Sequence, residues 1–334
     1  MKAAILAPVA WRTPPRHYGP WEQVASNIAE GLIKLGVEVT LFATGDSITA
    51  GRLEAVCEKG YEEDRTQDAK VLECLHISNL MEKADEFDII HNNFDFLPLT
   101  YSGLVKTPVI TTIHGFSSPR IIPVYKKYNA RGHYVSISDS DRSPELKYLA
   151  TVYNGLNTKD FVFNAHPREY LLYFGRIHPD KGTVEAIEIA KKSKRKLLIA
   201  GIVQDEGYFK EKIEPQLNDQ ITYIGSAGPE KRNELLGNAL ALLHPINFEE
   251  PFGLSVAEAM LCGTPVIAFN KGSMPELIKH EETGFLVKDI EEAVNAVEAL
   301  NKIKRENCYN WATSQFSCDK MAADYLKLYH QILG

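Results

Sequence analysis

Short apolar runs alternate with longer amphipathic stretches along all 334 residues of the chain. A first group of runs covers 3–8, 38–43, 88–91, 109–114, 134–138 and 151–153. A second covers 170–174, 196–200, 220–224, 239–243, 265–269 and 284–287. Most are apolar throughout instead of alternating with polar residues, the pattern of strands covered on both faces in a parallel sheet. Between them, Val24, Ile28, Leu32 and Leu35 form a helical stripe that ends at Gly36. The stretches 184–190, 231–237, 254–262 and 291–300 read the same way. Alternating strand and helix predicts an α/β fold with doubly wound parallel sheets. Twelve strands fit two sheets of about six better than one. The polar stretch 157–168, with Pro167, breaks the periodicity. It sets expected domains at 1–160 and 168–310, with an aromatic-rich helical stretch, 311–334, packing back on the first.

Composition narrows the class without changing the fold. A hydrophobic share of 44% with 24% charged residues supports full cores. The net charge of -7 disfavours nucleic acid as a partner, since that needs a basic footprint. The apolar run after Lys2 is strand length and not a secretory core, and no run is long enough to span a membrane. Five scattered cysteines without a CxxC pair offer no metal or redox motif and fit a reducing, cytoplasmic setting.

Three constellations stand at expected strand ends. In the first, Glu250, Pro251, Phe252, Gly253 and Leu254 lead into a helix that carries Glu258. Backbone N–H groups at such a helix start favour an anion, and Gly253 lets a ligand approach closely. The flanking carboxylates suit hydroxyl pairs, although each read alone fits a solvated acid about as well. In the second, Arg176 and Lys181 follow the run 170–174, where a guanidinium and an ammonium suit a diphosphate. In the third, His114 ends the run 109–114, at the edge where ligands bind in open α/β sheets. A hydrogen-bonded packing histidine is an equal reading. On the acceptor side, Asn93 ends the preceding run, and the loop 9–20 offers Arg16, His17, Tyr18 and Gly19. Asp139-Ser140-Asp141 is read as a turn and helix start, not a metal site. Lys126, Lys127 and Arg131 with Tyr125 and Tyr128 form a small basic cluster that fits a solvated surface or a membrane contact.

The run EEPFGLSVAEAMLCGTPVIAFNKGSMPELI, with GRIHPDKG and TTIHG, resembles the family-four retaining glycosyltransferases, the glycosyl transferases group 1. The resemblance implies the GT-B architecture, two facing Rossmann-like domains with a C-terminal helix crossing back. It implies transfer of a hexose-type sugar from a nucleotide-sugar donor, UDP- or GDP-linked ahead of ADP-linked, with retention and without a metal or other cofactor. The acceptor hydroxyl would belong to a carbohydrate, a glycolipid or a small metabolite. Glu250 would meet the transferred sugar, Glu258 the ribose, Arg176 and Lys181 the leaving diphosphate, and His114 the sugar near the reacting carbon. Gly19, Gly201 and Pro251–Leu254 would line the donor. The family usually carries two small residues where this chain has Gly19-Pro20, and a second glycine after Gly201 where it has Ile202. A cytoplasmic protein, or one peripheral to the inner membrane, is expected. A disaccharide phosphorylase of the same fold and a non-catalytic nucleotide- or sugar-binding protein are the alternatives. A Rossmann oxidoreductase would need GxGxxG after the first strand, and none is there.

Overall fold

The computed structural model describes residues 1–17, 19–116 and 118–334. The chain divides into two compact units, Met1–Leu156 with Cys318–Gly334, and Asn157–Ser317. The first is built on β1 (Lys2–Leu6), β2 (Glu38–Phe42), β3 (Arg52–Glu54), β4 (Ile89–Asn92), β5 (Val109–Ile113), β6 (His133–Ser136) and β7 (Tyr148–Thr151). These form one sheet in the order β3-β2-β1-β4-β5-β6-β7, every pair parallel. Helices α1 (Pro20–Lys34), α2 (Ala69–Glu82) and α3 (Ile122–Tyr128) connect them.

The second unit carries β8 (Tyr170–Phe174), β9 (Lys196–Ala200), β10 (Ile221–Tyr223), β11 (Ala241–His244), β12 (Val266–Phe269) and β13 (Gly284–Val287). Its parallel sheet runs β10-β9-β8-β11-β12-β13. Its helices are α4 (Thr183–Lys192), α5 (Glu206–Tyr208), α6 (Pro229–Asn238), α7 (Leu254–Leu261), α8 (Met274–Leu277), α9 (Ile290–Glu298) and α10 (Arg305–Gln315). The last helix, α11 (Cys318–Leu333), belongs to the first unit. No helix among the described residues is long and apolar enough to cross a membrane.

Both faces of the first sheet are covered, which explains its uniformly apolar strands. Ile5, Leu41, Ile110 and Val135 pack on one side with Val24, Ile28 and Leu32 of α1 and Tyr325 and Tyr329 of α11. Ala4, Leu6, Phe42 and Ile90 pack on the other with Leu72, Ile77 and Leu80 of α2. Each such large apolar side chain stabilises by about 1.5–3 kcal/mol when fully buried. Gly31 lets α1 and α11 approach closely, since a Cβ there would stand 2.6 Å from that of Ala322. A buried polar chain fastens α11 to the sheet. His91 pairs through Nδ1 with the Tyr329 hydroxyl and through Nε2 with Thr112 Oγ1, both at 2.7 Å, and Thr112 pairs with the Tyr325 hydroxyl at 2.7 Å.

Five features depart from the pattern-based expectation. β3 is an added edge strand, and the strand expected at 151–153 is instead β7, three residues earlier. α2 is a full helix whose apolar residues do not fall on one stripe, because Val71 and Leu75 point to solvent while Leu72, Ile77 and Leu80 are buried. The stretch 311–334 is not one element. α10 begins before it and stays with the second unit, and the chain breaks at Phe316 and Ser317 before α11 joins the first. Asp139-Ser140-Asp141 forms the expected turn, but residues 137–147 carry no helix. There Asp139 faces Thr151 and Arg142.

Candidate active site

In the second unit the loops after β8, β9, β11 and β12 leave the carboxyl edge of the sheet. Glycines at forced positions shape that edge. Gly253 caps α7 at φ 90°, in the left-handed region. Gly272, at φ 53°, lies so close to the Glu250 backbone that a Cβ would stand 2.3 Å from the Glu250 nitrogen. Ser273 N donates to the Glu250 carbonyl at 3.0 Å, and its hydroxyl donates to the Phe252 carbonyl at 2.6 Å. The loop that carries Glu250 is therefore held from the β12 side before any side chain acts.

Lys181 and Glu250 meet here. Lys181 Nζ donates to Glu250 Oε2 at 2.5 Å, with both side chains largely buried. The ammonium also stands over the Phe248 ring, 4.4 Å from its centre. Lys181 reaches this place because Gly182 turns left-handed at φ 73° against the Pro245 carbonyl, with no room for a Cβ. His244, the last residue of β11, is the missed member. Its Nε2 lies 3.8 Å from Glu250 Oε2, and that atom has no hydrogen-bond partner among the described residues. Burial lowers its pKa to about 4, so the ring is neutral. Its place at a strand end was the available signal.

The other expected donor residues are spread along the same edge. Arg176 hydrogen-bonds the Gln204 amide, and its carbonyl accepts from the Tyr173 hydroxyl at 2.8 Å. Gly201, at φ 154°, crosses so tightly that a Cβ would stand 1.7 Å from the Gly175 carbonyl oxygen. Its requirement for glycine is thus already met by backbone packing. Phe252 is buried, with its ring edge-on to Phe316, while Pro251 is partly exposed. Leu254 opens α7. Glu258 is buried one turn into α7 and accepts from Arg232 Nη1 at 2.9 Å. Burial pushes its carboxyl pKa up, and the Arg232 charge pulls against that. Arg232, on α6, was invisible to motif reading because 26 residues separate it from its partner.

In the first unit His114 follows β5 and is buried, with its Nε2 3.0 Å from Asn93 Oδ1. Trp21 stacks on it at 5.8 Å between ring centres, 29° from parallel. Burial drives its pKa down to about 3. Gly19 caps α1 at φ 150°, and Pro20 takes the first helical position. Glu22 lies buried in that first turn and accepts from Trp11 N at 3.2 Å. Its burial raises its pKa to about 7. Arg16 is held by Asp46 at 2.9 Å and Glu63 at 2.8 Å, so its charge is paired with neighbouring loops of the first unit. His17 is exposed, and Tyr18 lies outside the described residues. In the basic cluster, Lys126 pairs with Glu145 at 2.6 Å, while Tyr125 is buried and donates to Asp95 Oδ1 at 2.6 Å.

Two Rossmann-like halves with parallel sheets of seven and six strands define the GT-B class of glycosyltransferase folds. The family model described as Glycosyltransferase Family 4 matches residues 21–159, and that described as Glycosyl transferases group 1 matches 157–315. The chain belongs to this glycosyltransferase family, and family and fold together make it a transferase. It is 24% identical over 340 residues to an uncharacterized glycosyltransferase of Methanocaldococcus jannaschii, with 84% of each chain covered. Among solved structures, it matches sucrose-phosphate synthase of Thermosynechococcus elongatus with a TM-score of 0.78 and 19% identity over 99% of both chains. HepE of Anabaena in complex with UDP-glucose matches with a TM-score of 0.71 and 18% identity, over 99% of this chain and 100% of that one.

Proposed function

We propose that the protein transfers a hexose-type sugar from a nucleoside-diphosphate sugar to an acceptor hydroxyl, with retention of anomeric configuration and without a divalent metal. The Lys181–Glu250 pair beside the glycine-capped start of α7 is the observation that carries this reading. A cation, a carboxylate and unsatisfied backbone N–H groups at one sheet edge match a ligand that joins a diphosphate to a polyhydroxylated sugar. As the bond to the sugar breaks, negative charge grows on the diphosphate. Lys181, Arg176 and the α7 amino terminus would stabilise it electrostatically, as a metal ion does in other transferases. Glu250 would then turn from Lys181 to the sugar hydroxyls, and Glu258 would accept from the ribose hydroxyls.

Retention follows in this reading from attack on the face the diphosphate leaves, with the departing phosphate oxygen taking the acceptor proton. The HepE structure, which holds UDP-glucose, makes that compound the first donor to test. The acceptor is proposed only as a hydroxyl of a carbohydrate, glycolipid or small metabolite. Thermal shifts with UDP-, GDP- and ADP-linked sugars in EDTA test the donor. A base-selective rise in melting temperature, lost in Glu258→Ala, is expected, since a ligand that binds only the folded state must stabilise it. A response to inorganic phosphate or free sugar alone would overturn the reading in favour of a phosphorylase or a binding protein.

A further inference from the structure

Lys181, His244 and Glu250 form a triangle inside the second unit with one edge made and one open. Lys181 Nζ donates to Glu250 Oε2 at 2.5 Å. His244 Nε2 lies 3.8 Å from the same oxygen, beyond hydrogen-bond reach, and is buried without a partner among the described residues. A ring nitrogen beside a carboxylate oxygen is favoured as the donating one, so the neutral ring is assigned its proton on Nε2. A buried N–H left unpaired is unfavourable. Here it persists next to an acceptor that a cation already occupies.

The backbone holds the three residues together and leaves their side chains to move. Gly182, next to Lys181, packs on the carbonyl of Pro245, next to His244. Asn247 N donates to the Asp180 carbonyl at 2.7 Å, and Ser273 N donates to that of Glu250 at 3.0 Å. The Lys181 ammonium also has the Phe248 ring face beside it, 4.4 Å from the ring centre. His244 needs a shift of only about 1 Å to close on Glu250 Oε2. Burial depresses the ring pKa, Glu250 pulls it up and Lys181 pushes it further down. A diphosphate that draws Lys181 away would leave Glu250 a largely buried carboxylate without its cation, which is costly unless another donor replaces it. His244 Nε2 is the donor already beside that oxygen.

We propose that His244 is a positioning residue that takes over Glu250 Oε2 when Lys181 turns to the diphosphate, so that Glu250 stays ionised and aimed while the ammonium is released. This rests on the transferase reading above and names how the second unit parts its own ion pair on binding. The first arm of the test needs no ligand. Lys181→Met removes the cation, and proton–nitrogen NMR on protein labelled with 15N-histidine, with His244→Gln used to assign the signal, reads the ring. A wild-type ring neutral at pH 7 with its proton on Nε2 is expected. In Lys181→Met that proton should move downfield as it bonds Glu250, and adding Glu250→Gln should reverse the move. A proton that does not respond to Lys181→Met, or whose response survives Glu250→Gln, would overturn the exchange.

The second arm uses whichever of UDP, GDP and ADP the wild type binds most tightly in calorimetry. His244→Leu should weaken that binding about tenfold, the scale of one hydrogen bond to a charged group. The same change in a Glu250→Gln background should cost no more than about twofold, because the two residues act as one unit. His244→Gln, which restores an N–H donor at a similar reach, should recover binding to within about threefold of the wild type. Without ligand, His244→Leu should unfold no more easily than the wild type, since it removes an unpaired buried nitrogen. Equal losses in both backgrounds, or a Gln variant as weak as the Leu variant, would mean a merely structural role. A wild type that binds none of the three overturns the donor reading, and the NMR arm separates that failure from a failure of the exchange itself.

Discussion

The amino termini of α1 and α7 share one backbone design and opposite electrostatics. Both follow a strand of a parallel sheet, and both are capped by a glycine at positive φ, Gly19 at 150° and Gly253 at 90°. In α1 the first turn carries its own acid, Glu22, buried where an external anion would otherwise sit. In α7 the first turn has no acid, and the Lys181–Glu250 pair belongs to the same sheet edge. A helix start attracts anions only while nothing internal satisfies it. The start of α7 is thus open to an anion, whereas that of α1 is already occupied by its own acid.

The largest expected effect is on the charged side. Lys181→Ala and Glu250→Gln should each lower kcat/KM for the accepted donor by about 10²–10³-fold, the scale of losing one preorganised transition-state contact. Steady-state kinetics read this directly, and a change below threefold in either variant would break the comparison. If instead a Glu22→Gln variant showed the large loss, the phosphate site would belong to α1.

The backbone that presents Glu250 gives a sharper control. Gly272→Ala would press a Cβ into the Glu250 backbone, whereas Gly36→Ala, also at positive φ, meets nothing within 4 Å. Gly36→Ala should cost about 1 kcal/mol of stability with unchanged kcat/KM. Gly272→Ala should lower kcat/KM at least tenfold beyond any stability loss, a difference of about 1.4 kcal/mol. Unfolding curves and kinetics on the pair separate strain in general from displacement of Glu250.

Glu22 gives a pH signature in the first unit. Burial raises its folded pKa from 4.5 to about 7, so as pH rises the unfolded chain releases this proton first. Its contribution is therefore most favourable below about pH 4.5, declines through 4.5 to 7 and levels off above. The full swing is up to about 3 kcal/mol. Glu22→Gln should match the wild type near pH 4.5 and exceed it by up to that amount at pH 8 in denaturant unfolding. A variant less stable than the wild type at pH 8 would show that the carboxylate is ionised and satisfied in place.

A further effect, on stability alone, concerns the helix that returns to the first unit. Tyr329→Phe removes the partner of His91 Nδ1 inside the core and should cost about 1–3 kcal/mol in unfolding free energy. Donor affinity of the second unit should be unchanged. A loss of donor binding at equal stability would tie α11 to the charged site.

Strand and helix periodicity, the glycine caps and the motif spacing were legible because they are local. The cap of α7 at Gly253, the first-position Pro20 and the six strands of the second sheet all follow from neighbours within a few residues. β3 escaped because a three-residue edge strand, with Arg52 and Glu54 around Leu53, leaves no apolar run. α2 escaped because two of its apolar residues face solvent and blur the stripe. His244, Arg232 and Glu22 entered the site description only through contacts with other segments, which no window along the chain contains.

By itself, then, the sequence determined the layered α/β architecture and the strand ends at which Arg176, Lys181, Glu250 and His114 stand. Tertiary structure alone decided how those groups are paired. It set Lys181 against Glu250, Arg232 against Glu258 and Asn93 against His114, and it closed α1 with its own carboxylate. The physical reason is that periodicity and capping energies arise between residues a few positions apart. Charge pairing and desolvation depend on distance and burial, and only the folded chain fixes those.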